Sequence, residues 1–205
     1  MKPPRIVIFA KAPRAGFVKT RLIPAVGAEV AAKIAEKMLQ HTVEEALATN
    51  FSSVELCVSP TPESLAWIPF RNPKWNVLWR DQGDGDLGER LTRAAKRVID
   101  EGFSPIFVGT DCPDLNRQQM KMAAKQLSEN DAVMIPSEDG GYVLLGISKF
   151  SSEVFFEVPW STEVVARETL KRVHDLGWTL SCLPPLRDID EPKDLEALPS
   201  EWRLT

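Results

Sequence analysis

The chain alternates between two hydrophobic rhythms. Short apolar runs recur at Arg5–Ala10, Val54–Val58, Val77–Trp79, Pro105–Gly109, Ala132–Pro136, Tyr142–Gly146 and Thr179–Leu183. The first, RIVIFA, is rich in β-branched residues and lacks polar alternation, the mark of a strand buried on both faces. Between these runs, apolar residues fall at helical spacing. Val30, Ile34, Met38 and Val43 form one side of a helix expected from about Gly27 to Asn50. Leu87, Leu91, Ala95 and Val98 do the same for a helix from Leu87 to about Glu101. Further helices are expected over Arg117–Glu129 and from about Ser161 to Leu176, with a short acidic helix in the tail. The proline- and tryptophan-rich stretch Pro60–Asn76 fits neither rhythm. Strands alternating with helices predict an α/β fold, with a mostly parallel sheet covered on both faces. Ligands of such sheets bind beyond the carboxyl ends of the strands, so residues that follow strands should gather on one rim.

Length and charge narrow the function classes. The 205 residues suffice for one well-buried domain, expected to span 1–205. The 25 basic and 29 acidic residues are mixed along the chain without a long basic run, which argues against nucleic acid or an anionic membrane as partner. Cys57, Cys112 and Cys182 are far apart and odd in number, which suits neither a zinc motif nor a disulfide framework and fits a reducing compartment. The N-terminal apolar run is too short for a signal-peptide core or a membrane span, so a cytoplasmic protein is expected.

The candidate chemistry follows the strands. The loop after the first strand carries Lys11, Arg14, Lys19 and Arg21 around Gly16. Cations with a close-approaching backbone suit phosphate, although a solvated basic loop has the same composition. No Walker A pattern occurs. Gln82–Arg90 is a Gly/Asp loop (with Gly83, Gly88 and Arg90) that could meet a base or phosphate, or simply be a turn with Asp86 capping the next helix. Asp111, directly after a buried strand, is placed to hold a metal that also takes substrate phosphates, or to cap the turn. Asp139, Gly140 and Gly141 form a hairpin signal on the same rim. Trp160 offers a ring platform or a core residue, and Ser161 or Thr162 a helix cap. Asp188 and Asp190 share one face if that segment is extended, and two carboxylates so placed repel unless a cation lies between them. His41 and His174 lie in expected helices with no Ser or Cys partner and read as structural or surface residues; no catalytic triad can be argued.

Taken in order, KAPRAGFVKTRL (11–22), GDGDLGERL (83–91), VGTDCPDL (108–115), SEDGGYVLLG (137–146), VPWST (158–162) and DIDEPKDL (188–195) resemble the GT-A, or nucleotide-diphospho-sugar transferase, superfamily. They most resemble its small "transferase 1" family, formerly a domain of unknown function, and more distantly the guanylyltransferases of deazaflavin-cofactor synthesis and the molybdopterin-cofactor nucleotidyltransferases. The resemblance implies a GT-A three-layer sandwich with a seven-stranded mixed sheet and the nucleotide at its carboxyl rim. It implies Lys19 and Arg21 at the phosphates, and Asp111 and Asp190 as first and second ligands of Mg²⁺ or Mn²⁺. One departure is Asp111-Cys112-Pro113-Asp114 where many glycosyltransferases carry a compact Asp-x-Asp. The substrate-binding set is then expected to include Lys11, Gly16, Lys19, Arg21, Gly83, Gly88, Arg90, Gly140, Gly141, Trp160, Ser161 and Thr162, and the catalytic set Lys19, Asp111 and Asp139. Asp139 is expected to orient or deprotonate an acceptor hydroxyl. The function expected is metal-dependent transfer of a glycosyl group from a nucleotide-sugar to a small-molecule acceptor. Nucleotidyl transfer from an NTP to a phosphorylated metabolite is the alternative, and a non-catalytic nucleotide-binding module the third reading. Slight burial is expected for both Lys19 and Arg21, since both lie in a loop.

Overall fold

Seven apolar segments meet the requirement that buried backbone polar groups be paired by joining one sheet. The computed structural model describes residues 2–202; Met1 and residues 203–205 of the expected 1–205 domain lie outside the described residues. The strands are β1 (Pro4–Lys11), β2 (Val54–Ser59), β3 (Leu78–Asp81), β4 (Ser104–Val108), β5 (Ala132–Pro136), β6 (Tyr142–Ile147) and β7 (Leu180–Cys182). Their order is β3-β2-β1-β4-β6-β5-β7. All neighbours run parallel except β6, which is antiparallel to both β4 and β5. The sheet is therefore mixed and seven-stranded.

The helices are α1 (Ile23–Val26), α2 (Ala28–Leu47), α3 (Leu87–Asp100), α4 (Arg117–Glu129) and α5 (Val165–Asp175). Alternation along the strands sends Ile6, Ile8, Ile106 and Val108 to one face, where Leu39 and Val43 of α2 and Met120 and Ala123 of α4 cover them. Val7, Phe107 and Leu145 point to the other face, under Leu91 and Ala95 of α3 and Ala166 and Val173 of α5. Both faces are thus dry, which explains why the central strands read as unbroken apolar runs.

The long helix starts where the pattern puts it, at Gly27, whose φ of 79° separates the short preceding α1 from α2. Other details differ from the pattern. The last helix starts at Val165 rather than near Ser161, with Val164 at its cap, so neither Ser161 nor Thr162 caps it. Ser161 instead adopts a left-handed φ of 64°, and the Thr162 hydroxyl donates to the Pro159 carbonyl at 2.6 Å. Leu87, placed by periodicity on the buried side of α3, is 42% exposed because it faces the cleft described below. The tail forms a 3-10 turn over Pro192–Ala197.

A third, smaller apolar cluster sets up the chemistry. Leu22, Ile34 and Met38 pack with Ile189 and Leu198, tying the loop after β1 and the long helix to the C-terminal segment. Ile189 is 1% exposed, and it separates Asp188 from Asp190. Burying the isoleucine inward turns the two flanking carboxylates outward together. Among the described residues no helix is long and apolar enough to cross a membrane.

Candidate functional site

A cavity of about 660 Å³ opens along the carboxyl rim of the sheet. Lys11, Lys19, Arg21, Asp111, Asp139, Gly141, Trp160, Ser161 and Thr162 all line it, as do Asp188 and Asp190. Residues separated by 170 positions thus share one wall, because the loop after β1 and the tail are pinned together by the cluster around Leu22 and Ile189.

Lys19 is the centre of this wall. Its backbone is left-handed (φ 47°, ψ 41°), an uncommon state for a residue with a Cβ. That turn directs the ammonium inward. The Nζ donates to the Ile189 carbonyl at 2.6 Å and to Asp190 Oδ1 at 2.8 Å, and lies 2.6 Å from Asp111 Oδ1. An ammonium has three protons, so three acceptors use its donors fully. The Ile189 N–H in turn donates to the Asp111 carbonyl at 2.8 Å, locking the tail to the turn after β4. The expectation of slight burial holds for Arg21, which is exposed, and fails for Lys19, whose side chain is 6% exposed. Burial alone would lower the Lys19 pKa, but Asp111 and Asp190 outweigh it and hold the group above its ordinary value.

Asp111 and Asp190 therefore come together, around an ammonium. A second grouping lies alongside. Carboxylate oxygens of Asp139, Asp188 and Asp190 are all within 4.8 Å of one another. Asp139 is fixed by hydrogen bonds from the Ser137 hydroxyl and the Gly141 N–H. Among the described residues, neither Asp139 nor Asp188 has a Lys or Arg at ion-pair distance. Burial, then Asp139, Asp190 and Asp111, push the Asp188 carboxyl up to about 6. Asp111 and Asp190 thus share one buried lysine, while Asp139 and Asp188 crowd Asp190 from its other side. Oxygen donors at this spacing fit a hard divalent cation such as Mg²⁺ or Mn²⁺.

The opposite wall is apolar. Phe9, Leu87, Leu91, Phe107, Tyr142 and Trp160 line it beneath α3 and the segment before α5. The Tyr142 ring meets Trp160 edge to face, with centroids 6.4 Å apart. Gln82, 5% exposed, sits at the floor, its amide donating to the Ala10 and Cys57 carbonyls and accepting from Arg90.

Five residues expected to bind substrate are not among those that line the cavity, and each has a structural setting of its own. Gly16 supplies a turn with φ 81° in open space. Gly83 also has positive φ, its N–H held by Asp81. Arg90 donates to the Gly85 carbonyl and to Gln82, bracing the loop. A Cβ on Gly88 would lie 2.6 Å from the Phe155 carbonyl and 2.8 Å from the Trp160 indole nitrogen, so this glycine lets α3 seat the tryptophan. A Cβ on Gly140 would sit 2.0 Å from the Glu163 carbonyl, so this glycine seats the segment before α5. Asp86 caps α3 in a reciprocal box with Glu89. Gln82, Leu87, Tyr142 and Asp188 also line the cavity, beyond the binding, catalytic and metal sets expected from the sequence. Gln82 had a signal in its Gly/Asp loop and Asp188 in its alternation with Asp190.

Comparison with known proteins follows from this geometry. No curated protein matches the sequence. A structure from Desulfovibrio desulfuricans G20, provisionally described as a nucleotide-diphospho-sugar transferase, is similar with a TM-score of 0.83 and 29% identity over 93% of this chain and 84% of that one. A CMP:2-keto-3-deoxy-manno-octonic acid synthetase complexed with CTP shares the fold at TM-score 0.59 and 14% identity, over 95% of this chain and 96% of that one. A manganese complex of Rv0371c from Mycobacterium tuberculosis H37Rv does so at TM-score 0.55 and 16% identity, over 96% and 97%. The model of a family described as an uncharacterized protein conserved in bacteria (DUF2064) matches residues 42–162, more than half of the chain. The chain belongs to this DUF2064 family and is a transferase on the nucleotide-diphospho-sugar transferase fold.

Proposed function

We propose that the protein transfers a glycosyl group from a nucleotide-sugar to a small-molecule hydroxyl, with a divalent cation in the cleft. The observation that carries this reading is the local charge imbalance at the rim: Asp111 and Asp190 share the buried Lys19, while Asp139 and Asp188, beside Asp190, have no Lys or Arg at ion-pair distance among the described residues. Asp188 and Asp190, with Asp139 beside them and Asp111 across Lys19, would hold Mg²⁺ or Mn²⁺. Such a cation, when bound, neutralises charge on phosphate oxygens as a Lewis acid.

The chain's own residues have separate tasks. Arg21 and Lys11, exposed on the cavity wall, meet the donor phosphates, where charge-assisted hydrogen bonds are strongest. Lys19, its protons already used, holds Asp111 and Asp190 in register. Trp160 and Tyr142 give a ring surface for sugar or acceptor and keep that side of the cleft dry. In the transfer step the acceptor oxygen bonds to the anomeric carbon. The bond from that carbon to the diphosphate oxygen breaks, and its electron pair leaves with the nucleotide. Asp139, oriented by Ser137 and Gly141, takes the acceptor's proton. In this direct displacement positioning and charge stabilisation supply the rate.

Nucleotidyl transfer is the second reading, favoured by the fold likeness to a CTP-bound synthetase over 95% of this chain. The experiment that separates them incubates the protein with Mg²⁺, a panel of nucleotide-sugars and NTPs, and hydroxylated or phosphorylated acceptors. Release of a nucleoside mono- or diphosphate from a nucleotide-sugar supports the first reading. Pyrophosphate from an NTP supports the second. Release of neither, with all pairs, removes both.

A further inference from the structure

The Lys19 ammonium occupies a position that a cation held by Asp111 and Asp190 would claim. It is 2.6 Å from one carboxylate and 2.8 Å from the other, in a wall where its side chain is 6% exposed. Asp190 also belongs to the neighbouring group with Asp139 and Asp188. This carboxylate is therefore shared between a place already filled by a lysine and a place where, among the described residues, no Lys or Arg lies at ion-pair distance of Asp139 or Asp188.

We propose that Lys19 is a built-in counter-cation that competes with the divalent cation for Asp190, so that metal binding draws Asp190 away from the ammonium. The inference rests on the metal reading given above. Three observations support it. First, the cation is held by design of the backbone. A non-glycine residue in the left-handed region is uncommon, and here it directs a long side chain inward against a rim 170 residues away. Second, the ammonium's three protons are matched by three acceptors, so the arrangement is satisfied without a metal. A divalent ion entering at Asp190 must break one of these contacts or sit close to a like charge. Third, the two carboxylates differ in their neighbours. The Asp111 side chain has Lys19 as its cation. Asp190, whose backbone N–H is held by Asp194, also has its side chain beside Asp139 and Asp188, and a cation arriving among these three carboxylates relieves their mutual repulsion.

The consequence is a free protein that binds metal weakly, with Asp111 and Asp190 kept in place meanwhile. When Asp190 leaves, Lys19 keeps Asp111 and the Ile189 carbonyl and recovers one donor. Metal and an anionic ligand would then reinforce each other's binding, a coupling that must be reciprocal.

The test is direct Mn²⁺ binding without nucleotide, followed by calorimetry or the electron paramagnetic resonance of free Mn²⁺. Lys19→Met, which removes the charge and keeps the volume, should bind Mn²⁺ about tenfold more tightly than the unsubstituted protein, the scale of one charge-assisted contact. Lys19→Arg keeps the competitor and should bind no more tightly. Equal or weaker binding in Lys19→Met, with a native circular dichroism spectrum, overturns the proposal while leaving the metal reading in place. Binding in none of the three proteins overturns both. A second measurement avoids any folding defect. In ¹⁵N-lysine-labelled unsubstituted protein, the buried ammonium should give an exchange-protected signal that shifts on adding Mg²⁺. A protected signal indifferent to saturating Mg²⁺ also overturns the proposal.

Discussion

The two ends of the sheet bury charge in opposite ways. At the amino end Arg5, 4% exposed, and Glu55, fully buried, form a cluster with Arg97 and Glu101. Arg97 Nη1 donates to Glu55 Oε2 at 2.9 Å, and the Arg5 guanidinium lies 3.9 Å over the Phe103 ring. Two cations meet two anions. At the carboxyl rim, two aspartates share one lysine and two more lie beside Asp190 with no Lys or Arg at ion-pair distance among the described residues. The balanced cluster pairs its own charges, leaving only the Arg5 Nε of its buried side-chain atoms without a hydrogen-bond partner, and joins β1, β2 and α3. An unbalanced one costs folding stability unless something else supplies positive charge. The balanced network holds the fold, and the unbalanced one is where we propose that a bound cation supplies the missing charge.

Breaking the balanced end should have the largest effect on stability. Glu55→Gln leaves Arg5 and Arg97 with Glu101 alone as a shared anion, and should cost about 3 kcal/mol. Chemical denaturation will measure it, and a loss below about 1 kcal/mol would mean the network is better solvated than its burial implies. Asp190→Asn, at the unbalanced end, should instead leave the fold intact and lower turnover about a hundredfold or more, since it removes charge facing the proposed cation. Steady-state rates beside a thermal melt will distinguish the two outcomes. Arg21→Ala should weaken donor binding about tenfold with no change in stability, because the side chain is exposed. Calorimetric titration giving an unchanged Kd would move the phosphates elsewhere in the cleft.

The smallest effect is a gain. The Asp188 carboxyl is raised to about 6 from an ordinary value of 3.8, by burial first and then by Asp139, Asp190 and Asp111. A folded pKa above the unfolded one means the ionised group costs stability at neutral pH. That cost should disappear as pH falls from above 6 toward 4. Asp188→Asn should therefore stabilise the metal-free protein at pH 7.5 by on the order of 1 kcal/mol, and by little near pH 4. Urea melts at the two pH values will show whether the difference shrinks as stated.

These contrasts were only partly legible in the sequence. The strands could be read because both sheet faces are covered, leaving runs such as Arg5–Ala10 without polar interruption. The rim could be read because Asp111, Asp139 and Asp190 each follow a strand in a doubly covered sheet. The burial of Lys19 could not. A cation in a Gly/Pro loop is solvated by default, and its partners lie 92 and 171 positions away. Its fate depends on a tertiary event, the packing of Ile189 against Leu22. Asp188 was visible as the alternate neighbour of Asp190, yet its weight depends on Asp139 arriving from the β5–β6 turn. Gly88 and Gly140 carry no chemistry of their own. Their motif positions reflect close packing against Trp160 and Glu163, which a motif alone cannot tell from ligand contact. The late start of α5 has the same origin. Residues 158–164 wrap the cleft before the helix can begin.

The central claim is that the unbalanced rim binds a nucleotide through a divalent cation. Its most direct test is calorimetric titration of the unsubstituted protein with nucleotides and nucleotide-sugars, with Mg²⁺ or with chelator, repeated in Asp190→Asn. The account predicts that Mg²⁺ tightens binding of at least one nucleotide about tenfold or more, and that Asp190→Asn removes the gain. Binding of equal strength in excess chelator, or an undiminished Mg²⁺ effect in Asp190→Asn, would contradict it.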